Sequence, residues 1–162
     1  MLCAALAADL PAIRRAVRAA FGHDLEARLV ERLEREGRAR VSLVARAASD
    51  VVGHAMLSRA DLVARGGSWP ALALAPVAVV PGWQRRGIGS ALVRACLALA
   101  GPSLPIFVIG APAFYDRFGF EQAEPYGVTS RFDVPLDHFM VRPGAGAPAP
   151  LPRLLDYPAA FG

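Results

Sequence analysis

Gln84-Arg85-Arg86-Gly87-Ile88-Gly89-Ser90 is the stretch with the most explicit chemical capacity. It follows the valine-rich run Val77 to Val80 and the break Pro81-Gly82, and it opens a run of helical composition from Gly87 to Ala100. A strand that turns into a helix start presents amide hydrogens with no intrahelical acceptor, at the positive end of the helix dipole. Such a turn holds anions. Gly87 and Gly89 carry no side chain to keep a diphosphate away from the backbone. An ordinary helix start with incidental glycines shares Gly-x-Gly, whereas Gln-x-x-Gly-x-Gly behind a strand and a proline is more specific. A dinucleotide fingerprint fits badly, because Leu92 stands where a third small residue is required. No acid stands about 20 residues later, where Pro112 and its neighbours lie.

Composition removes other chemistries. The 162 residues carry 18 basic and 14 acidic side chains, a net charge of +4, and every basic residue is arginine. Without lysine there is no GxxxxGK[ST] loop, no pyridoxal-phosphate Schiff base and no lysine nucleophile. Cys3 and Cys96 are too few for a disulfide framework, and no metal cluster is expected. The longest apolar stretch, Trp69 to Trp83, is broken by Pro70, Pro76, Pro81 and Gly82. It falls short of the ~20 apolar residues of a membrane helix. The apolar start meets Asp9 without a basic segment before it, so it makes a poor signal peptide, and the default compartment is the cytoplasm. The pI near 9.8 invites a nucleic-acid reading. Arginines 14 to 40 nevertheless interleave with Glu26, Glu31, Glu34 and Glu36, the pattern of a solvated helix face, so neither nucleic acid nor membrane is an expected partner.

The elements that must position the loop follow from periodicity. Asp9 caps a helix with Leu10, Ile13, Val17 and Phe21 on one face, ended by Gly22. Asp24 opens a second helix, with Leu25, Leu29 and Leu33 together and Glu31/Arg35 and Glu34/Arg38 as i,i+4 pairs, closed by Gly37. Alternation from Val41 and a turn at Ser49-Asp50 predict a hairpin running to Leu57. After Arg65-Gly66-Gly67, Ala71 to Val80 is a strand in which Pro76 predicts a bulge or a splayed edge. The Gly87–Ala100 helix would bury Ile88, Leu92, Ala95 and Leu99, and Pro105 to Ile109 is a short buried strand. Ala113 to Phe118 is a short helix stopped by Gly119, and strands are expected near Val128 to Val134 and His138 to Arg142. Residues 1–142 form the domain. Residues 143–162 form a Pro/Gly/Ala-rich segment whose Tyr157 and Phe161 should dock back on it.

Gln84-Arg85-Arg86-Gly87-Ile88-Gly89 resembles the Q/R-x-x-G-x-G/A motif of the GNAT superfamily of acyl-CoA-dependent N-acetyltransferases. Ala113-Phe114-Tyr115-Asp116-Arg117-Phe118-Gly119-Phe120 is similar to its A-x-x-Y-x-x-x-G-F pattern, with a shorter Ala-to-Tyr spacing. Val52-Gly53-His54, His138-Phe139-Met140 and Tyr157-Pro158-Ala159-Ala160-Phe161 resemble its small YhbS-like bacterial branch. The resemblance covers nearly the whole chain. It implies an α/β (α+β) fold: a mixed, mostly antiparallel sheet of six or seven strands flanked by about four helices, with strands 4 and 5 splayed to admit a pantetheine arm.

It also implies site roles. Backbone amides from Gln84 to Ser90 would bind the pyrophosphate of acetyl-CoA, which places Gln84, Arg85, Arg86, Gly87, Gly89 and Ser90 at the cofactor, the two arginines adding charge. Val77 and Val79 would pair through backbone atoms with the pantetheine amides, and an amide hydrogen of either would polarise the thioester carbonyl. Tyr115 is the expected general acid, since a phenol of pKa near 10 stays protonated at neutral pH and can protonate a leaving thiolate.

The base is unassigned. An alkyl ammonium is about 0.1% neutral at pH 7, a deficit of roughly 4 kcal/mol. Many relatives place a glutamate on the fourth strand, but Ala71 to Ala75 offers no acid. His54 is the nearest alternative, although a structural histidine fits it better; His23 and His138 are weaker. The resemblance places acceptor recognition at Phe21 to Asp24 and Tyr126 to Asp137. The leading expectation is acetyl transfer from acetyl-CoA to a primary amine of a small molecule or peptide by direct attack in a ternary complex, in a monomer or homodimer. Its rival is a non-catalytic acyl-CoA-binding regulatory module. Cys96, on or near a packed helix side, is no acyl carrier.

Overall fold

The computed structural model describes residues 1–145 and 153–162. In chain order the elements are β1 (Leu2–Ala4), α1 (Leu10–Phe21), α2 (Leu25–Arg35), β2 (Ala39–Ala47), β3 (Asp50–Ala64) and β4 (Gly67–Val79). There follow α3 (Ile88–Ala100), β5 (Ile106–Ile109), α4 (Pro112–Tyr115), β6 (Glu121–Gln122), β7 (Val128–Ser130), β8 (Phe139–Arg142) and β9 (Arg153–Asp156). The sheet runs β1-β2-β3-β4-β5-β8-β6, antiparallel at every step except the parallel pair β4–β5. That path is the expected mixed sheet. The 15-residue β3 outruns β2, and β9 pairs with its far end at Asp61–Val63 while β7 pairs with β9.

Both faces of the sheet are covered. Ile13, Val17, Val30 and Leu33 of α1 and α2 pack with Val44, Met56 and Ala78 on one face. Leu92, Val93 and Cys96 of α3 pack with Leu43, Leu57 and Ile106 on the other. A third cluster joins Leu62, Phe107, Phe139, Leu155 and Tyr157, so residues 153–162 lie against the sheet. The stretch 146–152, where the extended surface segment was expected, falls outside the described residues. Among the described residues no helix is long and apolar enough to cross a membrane.

Three local expectations are corrected. The buried stripe of α3 is Leu92, Val93 and Cys96, while Leu99 is 58% exposed. That helix is apolar nearly all round, so several stripes fit its sequence equally well. Glu31 reaches Arg14 of α1 at 3.3 Å instead of Arg35, and α2 ends at Arg35, which leaves Arg38 off the helix that would have paired it with Glu34. The Asp9 carboxylate does not cap α1. It accepts the Leu6 N–H at 3.0 Å and pairs with Arg46, and both contacts hold its pKa below the ordinary aspartate value.

Candidate active site

β4 and β5 pair only at Leu72–Ile106 and Ala73–Phe107 and then diverge. The cause lies in β4. Ala55 pairs with Val77 and Leu57 with Leu74, so β4 holds one residue more than β3 across the cis Ala75–Pro76 peptide. An extra residue bends and twists a strand, and a proline leaves no ladder donor on that side. Pro76 therefore does what its position in the sequence predicts.

Beyond the bulge, Val80 N–H bonds Val52 O at 2.9 Å. Alternation along a strand then turns the backbone groups of Val79 and Val77 toward the gap. Gln84 Nε2 donates to Val79 O at 3.0 Å, which ties the following loop to the strand. The Val79 carbonyl is thus engaged, and Val77 keeps the open edge.

The loop turns sharply into α3. Arg85 (φ 58°) and Gly87 (φ 80°) both take left-handed backbone, which glycine adopts freely and arginine only at a cost of about 1 kcal/mol. The first backbone amide of this region with a helical acceptor is Ala91 N, bonded to Gly87 O at 2.9 Å. No side chain caps the helix, so the amides of Ile88, Gly89 and Ser90 are left for another acceptor.

A cavity of about 910 Å³ fills the gap. Of the residues expected at the site, Val77, Val79, Gln84, Arg85, Gly87, Gly89, Ser90 and Tyr115 all line it. Arg86 does not; its guanidinium lies 4.9 Å from the centroid of the Trp83 ring. Tyr115 ends α4, where Gly119 (φ 80°) stops the following turn. Its ring is buried edge-on against Phe114 and Phe120, at centroid distances of 4.9 and 5.7 Å. Burial pushes the phenol up to about 12, so it stays protonated at neutral pH.

The weaker candidates fall elsewhere. His54 is fully buried between β2 and β4, 3.2 Å from Ser42 Oγ, and does not line the cavity. Burial lowers its pKa to about 4, the state of a structural histidine. His138 sits beside Asp137 away from the cavity. Cys96 is buried and its thiol is pushed up to about 12, which leaves no thiolate for acyl transfer. Of the two expected acceptor regions, Phe21 lines the cavity, whereas Phe132 packs on Tyr157 with Arg131 above both rings.

Sequence reasoning missed Gly110, Phe114, Glu26 and the cavity-lining position of Phe161. Gly110 follows β5, held by its N–H to His138 O at 2.9 Å, and only pairing across the sheet reveals it. Glu26 carries no motif; its one signal is its nearness to the loop after α1.

A family model described as an acetyltransferase (GNAT) domain matches residues 4–123. The uncharacterized N-acetyltransferase YjhQ of Escherichia coli K12 is 36% identical over 136 residues, covering 80% of this chain and 75% of its own. YhbS of the same organism, also an uncharacterized N-acetyltransferase, is 31% identical over 82% of this chain and 80% of its own. Among solved structures, E. coli YhbS in complex with CoA superposes with a TM-score of 0.86 at 27% identity, covering 99% of this chain and 91% of that one. A GNAT acetyltransferase from Brucella melitensis in complex with acetyl-CoA gives 0.79 at 27% identity, covering 100% and 97%. With the splayed strands, the uncapped helix start and these relatives in agreement, the chain belongs to the GNAT family of N-acetyltransferases.

Proposed function

We propose that this chain moves the acetyl group of acetyl-CoA onto a primary amine by direct attack within a ternary complex. One observation carries the reading: a single cavity joins the open edge of β4, the uncapped start of α3 and the Tyr115 ring. The amides of Gly87 to Ser90 would hold the diphosphate, with the Arg85 guanidinium beside them. The free backbone of Val77 would pair with the pantetheine arm as an added strand does. The Val79 amide would polarise the thioester carbonyl, its own carbonyl being tied to Gln84. Acetyl-CoA supplies the activated acyl carbon. The amine reacts in its neutral form, its ammonium having first lost a proton to solvent. As the new N–C bond replaces the C–S bond, Tyr115 would deliver its phenolic proton to the leaving sulfur, and the second proton shed by the nitrogen would restore the phenol.

The test is thiol release from acetyl-CoA with polyamines, amino acids, aminoglycosides and peptide N-termini, comparing wild type with Tyr115→Phe. Acetyl-CoA affinity should be unchanged in the variant and turnover lower by ~10²-fold or more. Tight acetyl-CoA binding by a wild type that releases no thiol with any amine would favour a regulatory acyl-CoA-binding module instead.

A further inference from the structure

The amine end of the cavity is built by α1, α2 and the C-terminal segment. Phe21, Leu29 and Phe161 give it an apolar wall, and Glu26, in the first turn of α2, is the one acidic residue lining the cavity among the described residues. The two arginines that line it, Arg85 and Arg117, lie on the loop before α3 and just after Tyr115, and Arg117 donates to Ala113 O at 2.8 Å.

Glu26 is short of partners. Its Oε2 is buried without a hydrogen-bond donor; His23 Nδ1 lies 3.0 Å away but out of line for one. The neighbouring charges are already engaged. Asp24 faces Arg14 and Arg18 at 3.7 Å each, Arg14 also faces Glu31, and Arg32 bonds Ala159 O and faces Glu36. Arg28 is the exception: among the described residues it has no ion pair, and it lines an adjoining cavity that Glu26, Leu29 and Phe161 line as well. A carboxylate on the wall of a largely apolar cavity is a site for a cation that brings N–H groups; its buried Oε2 faces His23, so the cation would meet the other oxygen.

We propose that Glu26 anchors the acceptor, and that the acceptor is a cationic amine carried on an apolar body which lies against Phe21, Leu29 and Phe161. The assignment rests on the transferase reading above and names the acceptor class for it: alkyl or arylalkyl ammonium compounds, and not acids of the same shape.

The test uses two probes of one shape and opposite charge, phenethylamine and 3-phenylpropionate, titrated calorimetrically into the CoA-saturated full chain. Wild type should bind phenethylamine and not 3-phenylpropionate. Glu26→Gln should weaken phenethylamine about tenfold or more, because one member of a partly buried charge pair is lost. Phe161→Ala should weaken it several-fold while the preference for the amine over the acid persists. Both variants should bind CoA like wild type, and Glu26→Gln should also melt like it, whereas Phe161→Ala loses its packing on Tyr157 and should melt lower. Unchanged phenethylamine affinity in Glu26→Gln, or equal binding of the acid by wild type, would overturn the assignment. Absence of heat when the chain is first titrated with CoA would instead sink the transferase reading beneath it.

Discussion

At Gly110 a β-carbon would come 2.3 Å from Tyr115 Cε2 and 3.0 Å from Cδ2, so the phenol occupies space that only glycine leaves. The ring is held on its other sides by Phe114 and Phe120 and has little room to yield. Gly110→Ala must therefore displace Tyr115 or the end of β5. We expect a loss of about 1–3 kcal/mol in stability, as for overpacking elsewhere, with turnover falling as far as in Tyr115→Phe. Chemical denaturation and the thiol-release assay check this, and an alanine variant with full turnover would mean that the ring is not held as described. Tyr115 was legible from its register with Gly119 and Phe120. Gly110 was not, because its constraint comes from a ring five residues away and from a bond to His138 across the sheet.

Among the elements, β3 is buried over most of its length, between α3 on one face and α1 with α2 on the other. His54 sits in that layer, its strand neighbours Val44 and Ala78 belonging to the α1/α2 side. Its Nδ1 is buried without a partner, so protonation would strand a charged donor. With the folded pKa near 4 and the unfolded value near 6.5, the unfolded chain binds more protons between those limits. Stability from this group is complete above pH 6.5 and declines as pH falls through 4, a loss of about 3 kcal/mol. His54→Gln can still bond Ser42 and cannot titrate. Urea unfolding at pH 7 and pH 4 should show a smaller acid loss in the variant by about that amount, and identical losses would refute the assignment. Alternation and Pro76 made the hairpin and the bulge readable. The inner stripe of α3 was not, because alanine, leucine and valine on every side leave its periodicity undecided.

On the scale of the whole molecule, the chain closes on itself. Residues 153–162 return along β3 and β7 and carry Phe161 to the cavity wall that Phe21, Glu26 and Leu29 also line, while the start of α3 and the loop before it line the same cavity. The aromatic residues Tyr157 and Phe161 announced that this segment would pack. Its partners, Asp61–Val63 and the wall opposite α2, are set by pairing over some hundred residues and leave no local trace in the sequence. The loop at Gln84 was the reverse case: strand, proline, glycines and helix are contiguous, so most of that half of the cavity could be read directly. Arg86 was the exception, because stacking on Trp83 takes its side chain away from the gap.

The diphosphate grip at the start of α3 is most directly tested by calorimetric titration of CoA into wild type and Gly89→Leu. A β-carbon at Gly89 would meet Phe114 and Val79 at 3.5 and 3.6 Å, ordinary contact, so the first atom of the new side chain fits. The remainder of a leucine would occupy the cavity that residue 89 lines. Wild type should bind CoA with measurable heat, and Gly89→Leu should melt like wild type yet bind at least about tenfold more weakly. Equal affinity in the two proteins, or no heat from wild type at millimolar CoA, would contradict a diphosphate held by the amides that follow Gly87.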